Sequence, residues 1–440
     1  MSLVLCLVAF AACFIAGRRS LVTGLVTLLA IGYVYGITRA NIPETSAHFI
    51  FDAGVVGLYA AQVFHRLTAP EKYRVEKLKP WLELLIVWPL LVFFMPVQNW
   101  LIQVVGLRGS IFLLPFIFFG ARLDGGDRYR LALWLAAFNI AVLILAGIEY
   151  FNGIESFFPH NQMTELIYKS NDLAGRTAYR IPASFANAHA YGGTMVVGLP
   201  LLAGAAIQKR LRGFHLLLLI LGIAAAMLGV LMSAARTHFI AAAIVTIVAT
   251  FSLRSRIGYA FGWLLLIVAI GWMVSGEERL QRFTQLQDTD AVVERLSGSV
   301  NMEFFEIAAQ YPFGNGLGGG GTSIPYFLRG EIRNPVGMEN EYARIMLEQG
   351  VVGLVFWVAF IVWIFTRRNA NDSWYLGRRL AKVACVVFFI SALTGTGLLT
   401  SIPQTAVFLL LVGWVGARQT ETEGAVEPLA IHTTVRPITI

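Results

Sequence analysis

Runs of about 20 mostly apolar residues recur along nearly the whole chain, separated by short charged stretches, and this pattern restricts the fold more than any other feature. Such a run matches the thickness of a bilayer when it is coiled into a helix. Composition closes the soluble alternative: with 57% hydrophobic and 14% charged residues and a mean hydropathy of +0.67, the chain has more apolar surface than a water-exposed domain hides. An outer-membrane barrel needs strands that alternate in polarity over about ten residues, and the runs do not alternate. The expectation is an all-α integral membrane protein.

The first run, Leu3 to Ala16, is followed by Arg18 and Arg19 rather than preceded by basic residues, the reverse of a cleavable signal. It is therefore read as a retained span with an outward N-terminus. Further runs fall near 20–38, 49–64, 81–97, 109–121, 131–149, 190–207, 214–232, 237–253, 257–274, 350–366, 380–398 and 404–416, predicting about 12–13 transmembrane helices. The membrane domain then covers 1–417, and the polar stretch 418–440 reads as a disordered cytoplasmic tail.

The net charge of +8 does not point to nucleic acid, because its Lys and Arg residues sit in short loops between apolar runs instead of lining one face. They mark topology. Six basic clusters fall on alternate loops: Arg18 and Arg19; Arg66 through Lys79; Arg122 to Arg130; Lys209 to Arg212; Arg254 and Arg256; and Arg367 through Arg379. The positive-inside rule assigns all six to the cytoplasm. The opposite side receives the two longest connections, about 150–189 and about 275–349. Connections of that length are usually functional when ordered. Cys6, Cys13 and Cys385 lie inside apolar runs, and the histidines show no zinc spacing, so neither a disulfide framework nor a metal is expected.

Several motifs on this side carry potential chemistry. Gly314-Asn-Gly-Leu-Gly-Gly-Gly-Gly321 contains a literal GxGxxG but has no preceding strand and no Gly-Lys-Ser/Thr ending, which excludes a dinucleotide or Walker site. Two readings stay open: glycines that permit tight turns, or backbone amides, at Gly316 and Gly318 among others, that line an anionic substrate. Arg180 closes the first long connection and Arg236 occupies a short turn between two spans on the same side. Each is a snorkelling arginine at a membrane mouth or, taken together, a guanidinium pair able to grip a diphosphate. Arg295 is a further cation in the second connection. Glu339, Asn340 and Glu341 open a helical pattern in which Arg344 is placed to pair with Glu341 and Glu348. Glu339 has no such partner and is the candidate general base.

In this order, Arg180-Ile-Pro-Ala-Ser-Phe-Ala-Asn-Ala-His189, Ser233-Ala-Ala-Arg236, Tyr311-Pro-Phe-Gly-Asn-Gly-Leu-Gly318, Glu339-Asn-Glu-Tyr342 and Glu348-Gln-Gly-Val-Val-Gly-Leu354 resemble the O-antigen ligase and O-antigen polymerase family of bacterial membrane glycosyltransferases. The resemblance covers mainly 175–365. It implies a C-type glycosyltransferase-like membrane fold in the bacterial inner membrane, working at the periplasmic face. The donor would be an undecaprenyl-diphosphate-linked glycan, transferred with inversion and without metal or other cofactor. Arg180 and Arg236 match positions that neutralise the departing diphosphate, and Glu339 the position of the base. Asn187, His189, Asn340, Gly316 and Gly318 fall on its matching stretches and are candidate substrate-binding residues, with Arg295 as a third candidate cation outside them. Ligases present His-Asn where this chain has Glu339-Asn340, which favours a polymerase of lipid-linked repeat units over a ligase acting on lipid A core. The implied partners are lipid-linked glycans, the bilayer, and a chain-length regulator or other envelope assembly protein. A transporter or flippase, and a structural partner of an envelope complex, are the competing classes. A transporter is expected to carry mid-bilayer charges and an internal repeat.

Overall fold

The computed structural model describes residues 1–42, 44–161, 164–165, 168, 179–208, 213–252, 304–321, 324–336, 340–367 and 373–418. The span expected at 257–274, and with it Arg295 and Glu339, lies outside the described residues. The elements are helical: α1 (Ser2–Arg19), α2 (Leu21–Asn41), α3 (Ile50–Val63), α4 (Ala69–Val75), α5 (Lys79–Phe93), α6 (Trp100–Ile111), α7 (Pro115–Arg122), α8 (Gly125–Asn152), α9 (Ala188–Ala206), α10 (Gly213–Met232), α11 (Arg236–Ser252), α12 (Phe304–Gln310), α13 (Glu341–Thr366), α14 (Tyr375–Ser391) and α15 (Gln404–Gly416).

Among the described residues, six helical runs are long and apolar enough to cross a membrane: α1, α2, the joined run Trp100–Arg122, α8, α10 and α13. Other expected spans form shorter helices. The runs at 49–64, 81–97 and 380–398 give helices of 14, 15 and 17 residues. At about 1.5 Å of rise per residue, a 14-residue helix covers only part of the hydrocarbon thickness, and the 3₁₀ turn Thr45–Phe49 completes the climb of α3. The span expected at 109–121 begins nine residues earlier, at Trp100, because Asn99 caps α6 there through its side chain. Helix α13 likewise starts at Glu341 rather than near 350, with Gly350 forming a kink at φ +72°. Residues 341–349 therefore belong to a buried helix and not to the connection.

Helix α9 is the hub. It packs against α8, α10, α11, α14 and α15, and nearly all its residues are buried, as is the whole of α15. A helix apolar on every face belongs in the centre of a bundle, and glycines such as Gly204, which faces Gly377 of α14, let its neighbours approach closely.

The contacts sort the connections onto two ends of the bundle. At one end meet the basic clusters: Arg122 donates to Glu71 Oε1 (3.0 Å) and Gln62 Oε1 (2.9 Å), and Arg128 lies over Trp374 and Trp414. Arg378 caps the end of α15 by donating to the Trp414 and Ala417 carbonyls. Arg418, expected to begin the disordered tail, is instead tied to this end. Its N–H donates to the Arg74 carbonyl, its guanidinium pairs with Glu76, and it stacks 4.2 Å from the Tyr73 ring centre. The opposite end gathers the connections expected outside. Asn161 donates to the Ala40 carbonyl, Gln98 to the Asn315 and Arg333 carbonyls, and the Gly397 N–H to Glu341. Among the described residues, the basic clusters at 66–79, 122–130 and 367–379 thus meet at one end, here termed the basic end; the other end is termed the opposite mouth.

Candidate functional site at the opposite mouth

The peptide from Arg180 to Asn187 makes a tight excursion before the central helix. Ala183 adopts φ +49°, a left-handed conformation that costs a non-glycine residue about 1–2 kcal/mol. Three contacts impose it. The Ala183 N–H donates to Glu149 Oε2 at 2.9 Å. The Ile37 N–H of α2 donates to the Ser184 carbonyl at 3.1 Å. Gly36 lets α2 lie directly on the turn, since a Cβ there would stand 2.0 Å from the Phe185 carbonyl carbon. Phe185 then wedges between Tyr33 and Tyr191, with ring centres 5.3 and 5.4 Å away.

This excursion presents Arg180, which is 8% exposed. Its Nη1 lies 2.9 Å from His189 Nε2. A guanidinium only donates, so Nε2 is the accepting atom of this contact. His189 is exposed on the first turn of α9 and meets the His238 ring edge-on at 5.8 Å. His238 lies two residues into α11, stacked on Phe388 of α14. Arg236, partly exposed, is the first residue of the same helix. Gly192 brings α9 and the Ser233-Ala234-Ala235 turn together: a Cβ there would meet Ser233 Oγ at 2.5 Å. Arg180 and His189 are therefore in direct contact, and Arg236 heads the helix that carries the next ring in the series.

Asn187 starts the central helix. It is the N-cap of α9, its side chain accepting the Ala190 N–H at 2.8 Å. Asn340 does the same for α13, accepting from Tyr342 (2.9 Å) and Ala343 (3.3 Å) while buried. Helices α9, α11, α13 and α15 all begin at this mouth, and helix N-termini carry partial positive charge. The field there favours an anion.

Behind Asn340 lies a buried ion triad. Arg344, with 0% of its side chain exposed, donates through Nη2 to Glu341 Oε1 (2.6 Å) and through Nη1 to Glu348 Oε2 (2.8 Å). Glu341 Oε2 accepts the Gly397 N–H at 2.9 Å. The pairings expected from the helical spacing are present, and both Glu341 oxygens are occupied.

The glycine-rich segment is mostly buried rather than open to the mouth. Gly314, Gly316, Gly318 and Gly321 have φ of +91°, +81°, +82° and +69°, the conformations that glycine alone adopts without penalty. A Cβ on Gly318 would lie 2.6 Å from the Ile102 carbonyl oxygen, and one on Gly106 only 2.1 Å from the Gly318 nitrogen. Gly316 and Gly318 thus let the connection lie flat against α6, and the Gly319 and Gly321 amides close local turns onto the Gly316 and Gly318 carbonyls.

Sequence reasoning did not single out Glu149, His238 or the Asp52–Arg108 pair, whose two bonds of 2.6 and 2.7 Å join α3 to α6. Each is a lone polar residue at the edge of an apolar run. The one available signal was the cost of placing such a group there. Among the described residues no group of three or more His, Cys, Asp or Glu side chains is arranged to hold a metal ion.

The fold and the mouth define an all-helical protein of multi-pass membrane character. Compared with known proteins, the chain matches no family model and no curated protein.

Proposed function

We propose that the protein polymerises undecaprenyl-diphosphate-linked oligosaccharide repeat units into an O-antigen, capsule or exopolysaccharide at the periplasmic face of the bacterial inner membrane, by metal-independent inverting transfer. The observation that carries the reading is the contact of the largely buried Arg180 with His189, whose ring meets His238 of α11, the helix that Arg236 heads. Guanidinium groups grip phosphate oxygens bidentately, which a lone ammonium does not. Arg236 at the head of α11 adds a second cation where the macrodipole already favours anions.

In the transfer, the acceptor hydroxyl oxygen bonds to the anomeric carbon from the side opposite the diphosphate. Its proton passes to the base, and the carbon–oxygen bond to phosphate breaks with its electron pair leaving on the diphosphate. Arg180 and Arg236 neutralise that charge as it develops. Glu339 remains the residue proposed as base, and it lies outside the described residues. Glu341 is unsuited to the role, because its oxygens are engaged by Arg344 and Gly397. Arg295, also outside the described residues, is kept as a further cation toward the substrate.

The test is expression in strains lacking a polymerase, a ligase or a flippase, reading lipopolysaccharide ladders and secreted polymer. Restoration of long ladders in the polymerase mutant supports the reading. Rescue of the ligase mutant alone replaces it with transfer to lipid A core, and rescue of the flippase mutant alone makes the protein a transporter.

A further inference from the structure

Glu149 has no part in the transfer just described, yet it is a carboxyl group in the last turn of α8 with 1% of its surface exposed. Its Oε2 accepts the Ala183 N–H at 2.9 Å, and its Oε1 meets no hydrogen-bond donor among the described residues. Burying a carboxyl against a single neutral amide is unfavourable compared with an apolar side chain of similar size. Filling space does not account for it. The bond it makes does, because its donor is the one residue of the Arg180–Asn187 excursion held in a left-handed conformation. Strained backbone of this kind persists only where its surroundings over-determine it. Here α2 grips the turn from one side through Ile37 and Gly36, and α8 grips it from the other through Glu149.

Arg180 stands three residues upstream of that anchor. A shift of the turn carries the guanidinium away from His189, the residue it donates to. We propose that Glu149 is a positioning residue. Its Oε2 fixes the Ala183 amide and thereby sets where the Arg180 guanidinium meets the diphosphate of a lipid-linked glycan. The inference rests on the reading of Arg180 as a diphosphate-binding residue.

What matters in such an anchor is the reach of an oxygen, not its charge. Glu149→Gln keeps a carbonyl oxygen at the same distance without the charge. Glu149→Asp keeps the charge but withdraws it by one methylene, and Glu149→Ala removes both. The expected order of function is therefore wild type and Gln above Asp and Ala, whereas a carboxylate acting through its charge places Asp above Gln.

Full-length variants in nanodiscs supply two readouts. The first is amide hydrogen exchange across 180–187 without ligand. Loss of one buried hydrogen bond is expected to speed exchange there about tenfold in the Asp and Ala variants and to leave Gln near wild type. The second is binding of undecaprenyl diphosphate, expected to weaken about tenfold in Asp and Ala and to stay within about threefold in Gln. Arg180→Ala is the control. Unchanged exchange in Glu149→Ala overturns the inference, as does an Asp variant that binds better than Gln, or faster exchange spread evenly over α8 and α9. If Arg180→Ala binds the lipid as wild type does, the diphosphate reading falls. The exchange data then still decide whether Glu149 holds the turn.

Discussion

Two arginines near the same end of the bundle sit in opposite electrostatic settings. Arg344 is fully buried and lies between Glu341 and Glu348, with three of its N–H groups donating to carboxylate oxygens. Arg180 is at the edge of the mouth, where it donates to the exposed His189 imidazole. The first arrangement satisfies the cation internally and cross-links α13, the glycine-rich segment and the Gly397 turn. The second sets a cation against an imidazole at the rim. Residue type alone does not separate the two settings; burial and the nature of the contacts do.

The largest expected effect breaks the latch. Arg344→Met leaves two buried carboxylates without their cation, and removal of one partner from a buried ion pair costs about 3–5 kcal/mol. The prediction is a collapse of monodisperse protein in detergent and of the thermal transition. The triple change Glu341→Gln, Arg344→Met, Glu348→Gln should recover most of the loss, and failure to recover makes the triad more than a charge cluster.

Arg180→Ala is expected to act the other way round, with polymer synthesis reduced at least about 100-fold while the melting temperature stays close to wild type. A melting temperature that falls as far as that of Arg344→Met would make Arg180 another latch and erase the contrast. Gly36→Ala comes next. A Cβ 2.0 Å from the Phe185 carbonyl carbon forces the Arg180 turn off α2, at an overpacking cost of about 1–3 kcal/mol. Loss of both stability and synthesis is expected, with exchange in 180–187 accelerated. Full activity would show that the turn tolerates displacement.

The smallest effect concerns the basic end. Burial tends to raise the Glu71 carboxyl, but bonds from the Thr68 N–H, His65 and Arg122, with the Arg122 charge, hold it down at about 2 from an ordinary 4.5. A carboxyl lowered on folding contributes stability that is whole above pH 4.5 and lost as the pH falls toward 2. Melting measured across that window should decline, and the decline should be shallower in Glu71→Gln. Parallel curves for the two proteins would remove this pair from the acid response.

Much of the architecture was legible because its cause is local. The bilayer demands apolar helical runs, so the all-helical, multi-pass character could be read from hydropathy. The Arg344 pairings were legible for the same reason, since three- and four-residue spacings put side chains together on any helix. Helix limits were less evenly legible: Asn99 starts α6 through a cap well upstream of its apolar run, whereas the helical pattern opening at Glu339, Asn340 and Glu341 already marked the start of α13. Asn187 and Asn340 cap their helices, and a polar residue before an apolar run serves capping and ligand contact alike.

By itself, the sequence determined that this chain is a bundle of apolar helices with its basic loops at one end, because hydrophobicity and charge act residue by residue. Only the tertiary structure decided that Arg180 meets His189, that His238 lies beside it, and that Glu149 holds the turn between α2 and α8. Those contacts join residues far apart in the chain. They depend on how closely helices approach at positions such as Gly36 and Gly192, and that is a property of packing rather than of any one segment.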